Sequence, residues 1–136
     1  MSRAIFPYAV RTFGFDAAAL AYLERVFADP QGKGYGYFML AEDNLQDPDL
    51  YIARGPDLRA MVRLSDLRPS EVRPALLLGT PALDLPYPCL REPIEAKTLI
   101  AALDRLVEKR ADALARLQAS DVVLVPERRR RDRAEV

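Results

Sequence analysis

Short apolar runs alternate along this chain with longer stretches of helical period, and proline and glycine punctuate the changes. Ala4 to Val10 is an apolar run with Pro7 inside it. It predicts an edge or irregular first strand, because proline cannot donate to a ladder. Phe15 to Ala28 places Leu20, Leu23, Val26 and Phe27 on one helical face, with Asp16 available as a cap. Asp29-Pro30-Gln31-Gly32-Lys33-Gly34 is a loop by its turn chemistry, and the aromatic-rich Tyr35 to Leu40 is a strand. After a turn at Asp47-Pro48-Asp49, Leu50 to Ala53 is a short buried strand. Asp57 to Leu64 is a helix with Leu58, Met61, Val62 and Leu64 as its apolar set, broken by Arg68-Pro69-Ser70. Ala75 to Leu78 is the next strand, Pro81 to Pro88 a loop with three prolines, and Pro88 to Leu90 the last strand. A long helix follows from Pro93 to about Gln118, with the proline in the first turn, where its missing N–H would be unpaired anyway. Val122 to Val125 is one more short extended run.

The resulting order is β-α-β-β-α-β-β-α, without internal repeats. Continuous apolar runs at the strand positions require a sheet covered on both faces, which is the α/β pattern. A length of 136 residues allows one domain and an appendage. We divide the chain into a sheet domain over 1–106, a helical extension over 107–119 and a basic linker or tail over 120–136.

Composition narrows the chemistry. The chain has no histidine, which removes the commonest general base, the usual zinc ligand and any Ser-His-Asp triad. No metal site and no catalytic residue are expected. The single Cys89 cannot form an intramolecular disulfide, and its apolar surroundings suit a buried structural thiol. Formal net charge is zero, which argues against general nucleic-acid binding. No apolar run approaches the ~20 residues needed to span a bilayer, and the N-terminus lacks a signal-peptide core, so a cytoplasmic protein without membrane insertion is expected. Gly32-Lys33-Gly34-Tyr35-Gly36 is glycine-rich but does not lie between a strand and a helix, so it is a turn rather than a phosphate loop.

Over about residues 1 to 110 the chain resembles a receiver domain of bacterial response regulators. Pro48-Asp49-Leu50-Tyr51-Ile52-Ala53-Arg54 is similar to the third receiver strand, Ala75-Leu76-Leu77-Leu78-Gly79-Thr80 to the fourth, and Leu90-Arg91-Glu92-Pro93-Ile94 to the fifth, which in the family ends in Lys-Pro. The resemblance implies a parallel five-stranded, flavodoxin-like sheet, here with reduced helices and an extended C-terminal helix. Only eleven residues separate Thr80 from Glu92, so the fourth helix of the family is missing or reduced to a turn, and Asp43 to Asp49 is too short for the second. Sheet faces left bare in this way invite a protein partner or a second copy.

The same resemblance locates a degenerate phosphorylation site at Arg54, Thr80, Glu92 and Pro93. The family's phosphorylated aspartate is replaced by Arg54, or by Ala53 if the register slips by one. The magnesium-binding acidic pair after the first strand is replaced by Ala9-Val10-Arg11-Thr12. The family's phosphate-contacting lysine is replaced by Glu92, and only Thr80 and Pro93 match. Aspartyl phosphorylation needs a carboxylate nucleophile and a cation held by oxygen ligands, and a guanidinium supplies neither. Arg54 and Glu92 either pair across the strand ends or are unrelated solvated charges. A competing register takes Met39-Leu40-Ala41-Glu42-Asp43-Asn44 as an acidic first strand and Asp84 as the acceptor. It leaves too little chain for the remaining elements.

In the last helix Ile100, Leu103, Val107, Leu114 and Leu117 form an a/d stripe, broken by Arg110. Its second half either packs on its own domain or forms a stalk that joins two copies. The tail Glu127-Arg128-Arg129-Arg130-Arg131-Asp132-Arg133 is either a solvated end or, through Arg128, Arg129 and Arg133, similar to the arginine motif that opens a PilZ domain. That motif binds cyclic di-GMP, with guanidinium groups on phosphate and base. The rest of a PilZ domain is absent, so no cofactor is expected here, and cyclic di-GMP only where such a domain follows. The expected function is a non-catalytic pseudo-receiver module for regulatory protein–protein contacts, with a homodimer as one form. The alternative is a small α/β ligand-binding or enzymatic domain unrelated to phosphorelay.

Overall fold

A computed structural model describes residues 7–29, 35–41 and 43–124. Its elements are β1 (Tyr8–Phe13), α1 (Ala17–Ala28), β2 (Tyr37–Met39), β3 (Leu50–Arg54), α2 (Leu58–Leu67), β4 (Ala75–Leu78), β5 (Cys89–Leu90) and α3 (Ala96–Leu124). All strand pairs are parallel, and the sheet order is β2-β1-β3-β4-β5. This is the flavodoxin-like order, in which the direction of winding reverses beside β1.

Alternation along the central strands assigns each face its helix. Leu50, Ile52, Leu76 and Leu78 point to one side, where they pack with Leu23 and Val26 of α1 and Leu99, Leu103, Leu106 and Val107 of α3. Tyr51, Ala53, Ala75 and Leu77 point to the other, against Ala60, Met61 and Leu64 of α2. Asp16 caps α1 by accepting from the Ala19 N–H at 2.9 Å, and Asp57 caps α2 by accepting from Ala60 at 3.1 Å. Arg68, in the left-handed region at φ 55°, ends α2.

Among the described residues, no helix forms in the β2–β3 and β4–β5 connections. Their side of the sheet is covered differently. Arg11 donates from one guanidinium nitrogen to the carbonyls of Asn44 at 2.6 Å and Gln46 at 3.1 Å, holding the first connection down. Leu83, Leu85 and Tyr87 of the second pack onto the α2-side core. Phe38, Leu58, Val62 and Leu67 stay exposed on the helix-poor flank.

Several sequence expectations are corrected. The first strand is Tyr8–Phe13 rather than Ala4 to Val10, and it lies between β2 and β3 rather than at an edge. Pro7 precedes it, so no ladder bond is lost. Leu58 and Val62 are not part of the buried set of α2. Cys89 is exposed; its thiol donates to the Gly79 carbonyl at 3.1 Å. The last helix starts at Ala96, because the Ile94 carbonyl is taken by the Tyr22 hydroxyl at 2.7 Å and the first helical bond runs from Leu99 N–H to Glu95. Residues 122–124 continue this helix instead of forming an extended run; Gln118 to Leu124 contains no helix breaker.

Arg110, which interrupts the apolar stripe of α3, is a staple. Its Nε donates to the Val72 carbonyl at 2.8 Å, and a terminal nitrogen meets Asp49 Oδ1 at 3.2 Å. The other oxygen of Asp49 accepts from the Ala9 N–H at 2.9 Å. One cluster thus ties α3 to β1, the entry of β3 and the α2–β4 turn. Arg110→Ala should lower stability by about 1–2 kcal/mol in urea titration, because partly buried partners lose their donor. Arg116→Ala, which removes only the exposed pair with Glu71, should change it by less than about 0.5 kcal/mol.

Tyrosines anchor α3 at the β2 edge. Tyr37 donates to Asp104 Oδ1 at 2.7 Å, and Tyr35 to Glu108 at 2.9 Å. Burial, and then the bond to Asp104, push the Tyr37 hydroxyl far above its ordinary value. The folded chain therefore holds a proton that the unfolded chain loses near pH ~10, so this stabilisation is complete below that pH and falls above it. Tyr37→Phe should flatten the alkaline fall in stability, measured by urea titration across that pH.

Candidate functional site

In a parallel sheet with this order, ligands and partners meet the crevice beyond the carboxyl ends of the strands. Arg54 is the last residue of β3 and is exposed, because the strand ends there and Gly55 turns the chain away. Glu92 follows β5 and precedes a cis peptide bond to Pro93. Its carboxyl carbon lies 3.4 Å from where a Cβ on Gly79 would be, which places the acid over the end of β4.

Arg54, Glu92 and Pro93 line one groove of about 400 Å³, between the first half of α1 and the β5–α3 connection. Ala18 and Ala19 keep the α1 wall low, and Leu78 and Ile94 supply apolar surface. Tyr22 is fixed in the same wall by its bond to the Ile94 carbonyl. The residues predicted from the strand ends are therefore brought together, except Thr80, which is exposed and does not line the groove. No ion pair joins Arg54 to Glu92; among the described residues the ion pairs are Arg110–Asp49 and Arg116–Glu71. Each charge is left available to something outside the chain. The walls from α1 were not foreseen; the one signal was Ala17-Ala18-Ala19 followed by a lone Tyr22.

The other carboxylates at this edge serve the backbone. Asp16, after β1, and Asp57, after β3, are the helix caps described above. Among the described residues no three acidic, cysteine or histidine side chains converge in a way that could hold a metal ion. A guanidinium at the tip of β3 has donors and no lone pair, so it can bind an anion but not attack one.

The a/d stripe of α3 is split by packing. Leu103 and Val107 are buried in the chain's own core, and Ile100 is packed against it, so these three are not available as an interchain seam. Burial continues to Ala113, past the expected boundary at residue 106. Leu114 is half-buried, and Leu117 is 54% exposed. Arg128, Arg129 and Arg133 lie outside the described residues. No described helix is long and apolar enough to cross a membrane. Comparison of the chain with protein-family models, with curated proteins and with solved structures finds no match.

Proposed function

We propose that the chain is a non-catalytic, non-phosphorylated pseudo-receiver module that makes regulatory protein–protein contacts in bacterial signalling, in the cytoplasm. The observation that carries this reading is the side chain at the end of β3. In a sheet of order 2-1-3-4-5, a permanently cationic residue stands where aspartyl phosphorylation would need a nucleophilic acid. The dedication of Asp16 and Asp57 to helix caps supports it, because it leaves no carboxylate pair for a magnesium ion. The partner surface consists of apolar side chains exposed by the lost helices, Leu58, Val62 and Leu67, together with the far end of α3. A PilZ domain following the tail would add cyclic di-GMP as the signal, through Arg128, Arg129 and Arg133.

Beryllofluoride with magnesium mimics an aspartyl phosphate without a covalent step. Added to the isotope-labelled chain, the pair should leave the amide resonances of Arg54, Thr80 and Glu92 unmoved. Saturable shifts at those three amides would end this reading.

A further inference from the structure

A second groove, of about 420 Å³, crosses the carboxyl ends of β1 and β2 and shares Phe15 with the first. Arg11 of β1 and Arg63 of α2 are among its lining residues, and the guanidinium of each is held in position by the chain itself. Arg11 is fixed by its bonds to the Asn44 and Gln46 carbonyls. Arg63 is stacked on Phe13, its Cζ 4.9 Å from the ring centroid. Neither is ion-paired within the described residues, and Glu24 is the one carboxylate among the described lining residues. Among the described lining residues, two prepositioned cations face one acid, so this set carries a net positive charge. Such a site is stabilised by an anion that spans both.

We propose that this groove binds a small organic phosphate, with the phosphoryl head between Arg11 and Arg63. Guanidinium groups fork onto phosphate oxygens, and a phosphate dianion matches two cations where a carboxylate matches one. Leu20 and Met39 line the same groove and offer apolar surface to the body of the ligand. The site is separate from the Arg54–Glu92 groove and goes beyond the protein-contact reading.

The test is a titration of the full chain with phenyl phosphate, inorganic phosphate and phenol, followed by amide shifts at Gly14, Phe15 and Ala41. Phenyl phosphate should saturate, inorganic phosphate should bind more weakly at the same amides, and phenol should not saturate. Arg63→Gln should weaken phenyl phosphate by about tenfold or more, the loss of one charge-assisted contact. Glu24→Gln should tighten it severalfold. This second variant reads the same field with the opposite sign and leaves the Arg63–Phe13 stack in place. Arg105→Gln, on the exposed side of α3, should leave the affinity unchanged. Phenol binding as well as phenyl phosphate would overturn the proposal, as would non-saturating shifts or a Glu24→Gln variant that binds no more tightly than the parent chain.

Discussion

Gly55→Ala should cost about 3 kcal/mol of folding stability or more, read as the shift of the urea midpoint at constant slope. The loops after β3 and β4 touch backbone to backbone. A Cβ on Gly55 would collide with the Gly79 carbonyl, and neither partner can retreat. Gly55 donates to the Leu78 carbonyl at 2.7 Å and accepts from the Ala82 N–H at 2.8 Å. Gly79 donates to Leu90 at 2.8 Å while its own carbonyl takes the Cys89 thiol. Gly79 is also at φ +90°, where only glycine is unstrained. The contact fixes Arg54, the preceding residue, relative to Glu92, which lies over Gly79. A loss below about 1 kcal/mol would mean that the two loops are not locked together.

Leu103→Ala should cost about 2–5 kcal/mol, because it opens a cavity where α3 meets the sheet. Leu117→Ala should be nearly neutral for the fold, since that side chain is more than half exposed. The pair separates two roles on one helix. Light scattering adds the second readout: if the far end of α3 joins two copies, Leu117→Ala shifts the dimer towards monomer while its urea midpoint at low concentration stays in place. A Leu103→Ala variant as stable as the parent chain would contradict the packing of α3 on its own domain.

The order of elements was legible in the sequence because its signals are local. Ala75 to Leu78 is an unbroken apolar run between Pro74 and Gly79, and β4 has those bounds. That the described residues of the connections at 40–49 and 79–88 form no helix was legible in their length and prolines. The first strand was misplaced because Arg11 and Thr12 look like a strand end. Arg11 stays in the ladder by sending its guanidinium to carbonyls in the β2–β3 connection, a partner that local pattern cannot reveal. Arg110 is similar: in the sequence it is only a break in an apolar stripe, whereas Asp49 and Val72 make it a tie across the fold. Arg54 and Glu92 could be placed in advance through the resemblance of their segments to receiver strands. The Arg11–Arg63 groove could not, since its two cations come from a strand and a helix that only the tertiary structure brings together.

The proposed reading rests on Arg54, a guanidinium at the tip of β3 where a phosphorylated switch would need a nucleophilic acid. Whether the chain can be phosphorylated is settled most directly by incubating it with phosphoramidate and magnesium and weighing the intact protein. The mass should be unchanged at every time point, with an active receiver as the labelled control. A stoichiometric phosphoryl adduct, lost on treatment with hydroxylamine as an acyl phosphate would be, would contradict the account.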